Sequence, residues 1–298
     1  MKRIFFWIGV LLFLGMLAGC GPKLQAVRDF STASTATMSG MKAVIKDFAP
    51  ACEREVRLSN DGEFVYTLER LTTAKCQDHR IAQKAYLEVA DLLSEFFIGL
   101  GSLAADNPAD YQGQLTALQV QLTSATYNDK PLFGQEKVKS ALSLARILLD
   151  FTSAYYRRSE IDKLINESYN KVDSLLDILS TSFSNNYITV LEAEEIQLED
   201  KFKIQPQKLF KDEDTEENNE LYSVFLVGIN ETYSKKLEPI NQKRAALQAA
   251  LGSISECREL LKTLYENTGK LDIDEIETLV KLYVEQVKPA IKAIQDAY

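Results

Sequence analysis

Beyond residue 23, apolar residues recur at alternating intervals of three and four along most of the chain. This spacing places them on one face of an α-helix, because such a helix turns once in about 3.6 residues. The first stripe predicts a helix packed against its neighbours over residues 24–48, and Pro50 is expected to end it. Its members are Leu24, Val27, Ser31, Ser34, Met38, Met41, Ile45 and Phe48.

Further stripes of the same kind cover most of the remaining chain, namely residues 82–103, 111–125, 138–183, 188–202, 221–251 and 276–294. Alternation with a period of two, which marks a half-buried β-strand, is scarce. Short polar breaks such as Asn107-Pro108 and Asn128-Asp129 separate neighbouring stripes. The pattern therefore predicts an all-α fold, an elongated multi-helix bundle of antiparallel helices with short loops.

Two stretches lack the helical period. Residues 50–76 are expected to be irregular, and around Asn60-Asp61-Gly62 they fit either a short β-hairpin or a helix that begins near Phe64. The helix is favoured, because Leu68 and Leu71 continue a helical spacing. Residues 205–220, which contain the acidic run Asp212–Glu217, are expected to form a linker.

The first twenty residues differ from the rest. A basic start, Met1-Lys2-Arg3, precedes an unbroken apolar run from Ile4 to Ala18. As a helix this run would be roughly 22 Å long, short of the roughly 30 Å hydrocarbon core of a bilayer. A basic start followed by a short apolar run is the layout of a signal peptide.

The end of this segment, Leu17-Ala18-Gly19-Cys20, resembles the lipobox of bacterial lipoproteins. The resemblance covers residues 1–20 and implies that residues 1–19 are removed, which leaves residues 20–298 as a lipid-anchored helical domain. It also implies that the Cys20 thiol receives a diacylglycerol and that its new amino group is acylated. Two or three acyl chains hold a protein on a membrane essentially permanently. Gly21 replaces the aspartate that favours inner-membrane retention, which implies an outer-membrane location facing the periplasm.

The net charge of the chain restricts the classes of partner that it is expected to bind. The formal net charge is −9, and loss of Lys2 and Arg3 with the signal peptide leaves 32 basic against 43 acidic residues, or about −11. Nucleic-acid binding needs a basic face that neutralises phosphates, so no nucleic-acid partner is predicted.

Cysteine usage predicts one disulfide. Cys52 and Cys76 flank a polar, turn-rich stretch, and an oxidising periplasm favours a bond between them. Cys257 lies in a helical stripe and is expected to be a buried small apolar residue, while its pairing with Cys52 or Cys76 stays open. With His79 the two cysteines would supply only three of the four ligands of a structural zinc site, so no metal site is predicted.

Motifs of catalysis are missing from the sequence. His79 is the only histidine, which excludes the paired Glu-x-x-His motifs of dimetal bundles. Ser39 to Lys42 and Ser168 to Lys171 match Ser-x-x-Lys, but the companion motifs of penicillin-binding proteins do not occur. Neither an enzymatic activity nor a cofactor is predicted.

Glu195 is the candidate buried carboxylate. It falls in the stripe Ile188, Leu191, Glu195, Leu198 and Phe202, on the apolar side of its helix. A carboxylate there needs a partner or a raised pKa. Arg146, Arg157 and Arg158 are possible partners, and a structural ion pair is favoured over catalysis because no second acid, base or nucleophile accompanies it.

Together these features predict a lipid-anchored, periplasm-facing interaction or scaffold protein of the bacterial cell envelope. It would contact the membrane through Cys20 and protein partners through its helix faces. Two alternatives stay open: a lipoprotein that binds a small ligand or peptide between its helices, and an inhibitor or immunity lipoprotein.

Overall fold

The computed structural model describes residues 21–60, 63–105, 115–153, 161–206, 216–267 and 273–298. The helices are α1 Gly21–Lys46, α2 Phe48–Ser59, α3 Val65–Lys75, α4 Gln77–Ala104, α5 Leu115–Ser124, α6 Gln135–Ser153, α7 Ile161–Asp177, α8 Ser184–Glu199, α9 Glu216–Glu266 and α10 Ile273–Ala297. Two π-helical segments, Ile178–Phe183 and Asp200–Ile204, follow α7 and α8 without a break. The predicted all-helical bundle is confirmed.

A single small β-ribbon interrupts the helices in the described ranges. Strands β1 Thr126–Tyr127 and β2 Lys130–Pro131 pair in antiparallel register. Asn128 and Asp129 form the turn between them with φ angles of 52° and 60°. Asn and Asp tolerate this left-handed geometry better than other residues with side chains, which explains their place in a tight two-residue turn.

Helix α1 lies at the centre of the bundle, between α4 and α10 and against α9. Every member of the stripe from Leu24 to Phe48 is buried, as its spacing predicts. The small residues in the middle of the stripe let neighbouring side chains approach closely, and the Ser34 hydroxyl lies 3.2 Å from that of Tyr283 on α10. The core is continuous along the bundle.

The direction of packing differs between the two neighbours of α1. Lys42 binds Asp91 at 2.9 Å and, further along, Glu53 of α2 binds Arg80 at 2.6 Å, so α4 runs antiparallel to α1 and α2. In contrast α1 and α10 are parallel, because Ser34 contacts Tyr283 and Gly40 lies against Ile294. The long antiparallel hairpin of α9 and α10 returns the chain to α1 in this orientation.

The predicted irregular segment 50–76 is wrong in its described part, because α2 and α3 cover most of it. Pro50 does not end the first helix. The break falls at Asp47, and Pro50 lies in the first turn of α2, where proline's missing amide proton leaves no helical hydrogen bond unmade. The favoured choice of a helix after Phe64 is confirmed, since α3 begins at Val65.

The predicted linker 205–220 is only partly described. Gln205 and Pro206 continue the helical turn that ends the α8 segment, and residues 216–220 already belong to α9. Residues 207–215 lie outside the described ranges, and so does most of the acidic run Asp212–Glu217. The signal peptide 1–19 and the lipid attachment residue Cys20 also lie outside them, as do Arg157 and Arg158.

Candidate functional site

A group of polar side chains, buried or half-buried apart from the exposed Tyr298, lies where α1, α2, α8, α9 and the end of α10 meet. We call it the Asp47 cluster, and its members are Asp47, Arg54, Tyr187, Glu194, Lys243 and Tyr298. Asp47 lies at the break between α1 and α2, so its side chain belongs to the apolar stripe of neither helix. The cluster contains four charged groups, which come from four different parts of the chain.

Arg54 is the hub of the Asp47 cluster. Its two terminal nitrogens donate to the two oxygens of Asp47 at 2.9 and 2.8 Å. Its Nε and Nη2 also donate to the two oxygens of Glu194 at 2.7 and 3.1 Å. One guanidinium therefore joins α2, the α1–α2 break and α8 in the planar fork geometry that arginine favours with carboxylates.

The remaining contacts bring in α9 and the C-terminal residue. Lys243 Nζ donates to Asp47 Oδ1 at 3.0 Å, and the Tyr187 hydroxyl donates to Asp47 Oδ2 at 2.7 Å. The hydroxyls of Tyr187 and Tyr298 lie 2.8 Å apart. Because Tyr187 has one proton and gives it to Asp47, Tyr298 is the donor in this pair.

Electrostatics favour the ionised form of Asp47 and the neutral form of Tyr187. Burial alone would raise the pKa of Asp47, but hydrogen bonds from Arg54 and Tyr187 and the charges of Arg54 and Lys243 lower it below the usual value. Burial and the neighbouring Tyr298 and Asp47 raise the pKa of Tyr187 far above its ordinary range. Two carboxylates thus face two cations, and both tyrosines stay neutral.

The geometry of the Asp47 cluster is that of a structural ion-pair network that holds helices together. Each of its charged groups is paired within hydrogen-bonding distance, as in such a network. The side chains also come from elements far apart in sequence. The cluster therefore fixes how α1, α2, α8, α9 and the C-terminus fit together.

The buried carboxylate is not Glu195, as predicted, but its neighbour in the sequence, Glu194. Glu194 is the buried acid, with 7% of its side chain exposed, whereas 31% of the Glu195 side chain is exposed. Glu195 pairs with Arg244 of α9 at 2.5 Å, so the proposed partner Arg146 is wrong. Glu194 belongs to the alternative stripe Tyr187, Leu191, Glu194 and Leu198, which starts one residue earlier and could have been read from the sequence.

The single histidine lies in an aromatic box beside the Asp47 cluster. The ring centroids of Phe48 and Tyr127 are each 5.0 Å from that of His79. His79 Nε2 and the Tyr127 hydroxyl are 3.0 Å apart, while the buried Nδ1 has no hydrogen-bond partner in the described structure. Burial lowers the pKa of His79 below 6.5, although the charge of Asp78 acts in the opposite direction.

The predicted disulfide is confirmed. Cys52 and Cys76 are bonded, with their Cα atoms 5.9 Å apart, and the bond joins α2 to the end of α3. Cys257 is a free, buried thiol next to the Ser34 hydroxyl at 3.5 Å. Burial raises its pKa to about 11, so the thiol is protonated and unreactive at neutral pH.

Beyond the disulfide, α2 and α3 form a helical hairpin with an exposed apolar end. We call Phe64, Val65 and Tyr66 the α2–α3 tip, and their exposed fractions are 85%, 69% and 76%. Large apolar side chains in a contiguous exposed group are typical of interaction surfaces. In α3 only Thr72 is buried, so most of this helix faces solvent, whereas α2 packs against the bundle.

A groove lies between α1 and α10. It is lined by the first half of α1, which is remote from the α2–α3 tip. Its volume is about 460 Å³. Its apolar lining comes from Ala26, Ala33, Ala36, Val280, Val284, Val287 and Ile291, and its polar lining from Asp29, Thr32, Glu277, Lys281, Glu285 and Lys288. A predominantly apolar concave surface with a few polar groups is the common form of a small-ligand site.

Comparison with known proteins identifies no relative, because neither a family model, a curated protein nor a solved structure matches this chain. Within the described ranges, no set of three or more metal-ligating side chains converges on one point. Within the same ranges, no helix is both long and apolar enough to cross a bilayer.

Proposed function

We propose that the protein is a lipid-anchored, periplasm-facing interaction or scaffold protein of the bacterial cell envelope, held at the outer membrane by acyl chains on Cys20. The lipobox-like sequence Leu17-Ala18-Gly19-Cys20 supports the anchor. The placement of the α2–α3 tip supports the interaction role. This placement is the observation that carries the proposal.

The α2–α3 tip lies at the end of the bundle opposite to the start of α1. Contacts with α4 show that the chain advances in one direction from residue 42 to residue 53, because their partners on α4 are residues 91 and 80. At about 1.5 Å per residue, the helices from Gly21 to Ser59 are roughly 58 Å long in total. A lipid on Cys20 would thus hold the bundle upright and present the tip far from the membrane.

The α2–α3 hairpin is held in place at its base and on two sides. The Cys52–Cys76 disulfide closes its base, and Arg80 binds Glu53 at 2.6 Å on one side. On the other side Arg54 is fixed by the Asp47 cluster. A rigid support lowers the entropy lost when exposed side chains bind a partner.

Site-specific photocross-linking in intact cells tests the proposal. A photoreactive phenylalanine analogue at position 64 is expected to form a discrete protein adduct, and the adduct should disappear when Cys20→Ser releases the protein from the membrane. The same analogue at Leu282, an exposed position of α10, is the matched control. Equal adducts from both positions, or only lipid adducts from position 64, would overturn the assignment of the tip.

The groove between α1 and α10 favours a second candidate function, that of a ligand-binding lipoprotein. The groove has the concave apolar surface that is typical of ligand sites. A protein that acts only through its outer surface does not need such a groove. The two functions are compatible, because the groove and the α2–α3 tip lie on different parts of the molecule.

A further inference from the structure

The turn of the β-ribbon between α5 and α6 is held against the bundle by Tyr127. The two ends of the ribbon are fixed by the buried side chains of Ala125 and Phe133. Between these ends residues 128–131 are exposed, whereas the ring of Tyr127 packs on the bundle. The position of the turn therefore depends on what Tyr127 contacts.

Tyr127 contacts the aromatic box around His79. Its ring meets the His79 ring nearly at a right angle, with the centroids 5.0 Å apart, and its hydroxyl lies 3.0 Å from His79 Nε2. The ring of Phe48, which is fully buried, lies 5.0 Å from His79 and 5.7 Å from Tyr127. The ribbon thus covers one side of the box, and Phe48 lies beneath it.

The aromatic box fits a neutral His79 ring and not a charged one. Nδ1 is buried and has no hydrogen-bond partner among the described residues. In a neutral ring this nitrogen can stay unprotonated while Nε2 donates to Tyr127, but an imidazolium would have a buried N–H donor without an acceptor. His79 is also the third residue of α4, and the positive end of the helix dipole disfavours a cation there.

On the α2 side of the box, the carboxylates have other partners. Glu53 of α2 binds Arg80 at 2.6 Å. Asp47, which precedes Phe48, is bound within the Asp47 cluster. Neither carboxylate is therefore available as a counter-ion for a protonated His79.

The ribbon and α4 supply the other charges near His79. On the ribbon, Asp129 and Lys130 have opposite charges and are both exposed, so water and salt screen their effect on a buried ring. On α4, Asp78 precedes His79, and its charge raises the pKa of the imidazole, but burial lowers this pKa and is the larger effect. Protonation is therefore opposed as long as the box stays closed.

From this geometry we infer that His79 and Tyr127 form an acid-sensitive latch, in which protonation of His79 releases Tyr127 and opens the turn of the β-ribbon. Opening brings the charged ring into water and uncovers Phe48, so acid exposes an apolar surface that is absent at neutral pH. The inference goes beyond the interaction role of the protein, and it depends neither on the lipid anchor nor on the α2–α3 tip.

The direction of the pH dependence follows from linkage. In the open ribbon His79 is solvated and has the ordinary pKa of about 6.5, whereas the closed box holds its pKa below 6.5. Opening therefore takes up a proton, and it becomes more favourable as the pH falls below 6.5 until the closed form is protonated too. Each unit of difference between the two pKa values makes opening about tenfold more favourable at the acidic limit.

Amide hydrogen exchange of the purified full-length protein in detergent tests the latch at pH 7.5 and pH 5. Each exchange rate is divided by the intrinsic rate at the same pH, so that only protection by structure is compared. Protection of residues 125–133 should fall at least about threefold at pH 5, because the open form gains a proton. Residues 138–148 of α6, which follow the ribbon directly in the chain, are the internal control and should keep their protection.

His79→Gln and His79→Phe identify the titrating group. Each removes the imidazole, and His79→Phe also keeps an aromatic ring in the box. In both variants the protection of residues 125–133 should be the same at pH 7.5 and pH 5, whatever its level. Circular dichroism at both pH values establishes that the helices are retained.

Four outcomes would overturn the inference. The first is ribbon protection that does not change with pH in the starting protein. The second is an equal loss of protection in residues 138–148. A loss at pH 5 that persists in both variants is the third, because another group would then be responsible. The fourth is a midpoint of ribbon opening that differs from the titration midpoint of the His79 ring in NMR.

Discussion

Asp47 shows how a single residue between two helices can organise a whole interface. It accepts hydrogen bonds from Arg54, Lys243 and Tyr187, which come from three different helical segments. Buried charges are costly unless they are paired, so each partner depends on the others. The Asp47 cluster therefore specifies one arrangement of these segments, and its loss is expected to affect folding before any binding surface.

Glu194 and Glu195 form a matched pair for testing this role. Glu194→Gln should lower the free energy of unfolding by about 1–3 kcal/mol, because it removes a buried charge that binds Arg54. Glu195→Gln should change it by about 0–1 kcal/mol, because its partner Arg244 is partly exposed. Urea unfolding followed by circular dichroism measures both, and a larger effect at Glu195 would contradict the assignment of Glu194 to the ion-pair network.

The lowered pKa of His79 predicts that the stability of the protein depends on pH, which an NMR titration can test. The folded protein holds the pKa of His79 below 6.5, so the unfolded chain binds the proton more readily. Its contribution to stability is therefore fully present above pH 6.5 and is lost as the pH falls towards the folded pKa. Because His79 is the only histidine, its ring signals in NMR report this titration directly.

The control for this titration is His79→Gln, which removes the titrating group from the aromatic box. Stability should then change less between pH 7 and pH 5, in a window set by the ordinary histidine value of about 6.5. An NMR titration of His79 with a midpoint above 6.5 would show that the ring is not held neutral by burial.

At the scale of elements, the α2–α3 hairpin is held by core packing in its first helix and by a covalent bond in its second. Its second helix buries only Thr72, and the disulfide fixes its end. Such a short helix is marginal in water without tertiary support. The bond therefore replaces the apolar packing that stabilises the other helices.

Replacing Cys52 and Cys76 together by serine is expected to lower the free energy of unfolding by about 3–4 kcal/mol, the chain-entropy value for a loop of this size. Amide hydrogen exchange should increase first in residues 65–75, because α3 has little other support. Non-reducing peptide mapping should recover the Cys52–Cys76 link, with Cys257 alkylated only after unfolding. Free thiols at Cys52 and Cys76 in the native protein would refute the pairing.

At the scale of the whole molecule, the bundle has two unlike ends. Helix α1 begins at Gly21, directly after the proposed lipid site, and the α2–α3 tip lies at the other end. The groove between α1 and α10 lies nearer the first end. This separation would let the proposed membrane attachment and partner binding use different surfaces.

Cys20→Ser tests the attachment at this scale. Lipid labelling should be lost, and the protein should move from the membrane to the soluble periplasmic fraction or remain uncleaved, because a single thiol carries the anchor. Circular dichroism should be unchanged, since Cys20 has no role in the contacts between the helices described from Gly21 onwards. A variant that is processed and still fractionates with the membrane would exclude the lipoprotein assignment.

The sequence alone determined the features that depend on local periodicity. The stripe from Leu24 to Phe48 predicted a buried helix face because a helix repeats at a fixed interval, and all its members are buried. The pairing of Cys52 with Cys76 could be predicted because the two residues flank one short polar segment. The failure at residues 50–76 came from proline and turn residues, which helix starts and ends also tolerate.

Only the tertiary structure decided which polar groups meet. Glu194 and Glu195 both border an apolar stripe, and α2 decides between them because Arg54 lies opposite Glu194. The parallel packing of α1 and α10, and with it the groove, depends on contacts between residues about 250 positions apart, such as Ser34 and Tyr283. No local pattern encodes such contacts, because their free energy exists only once the bundle has closed.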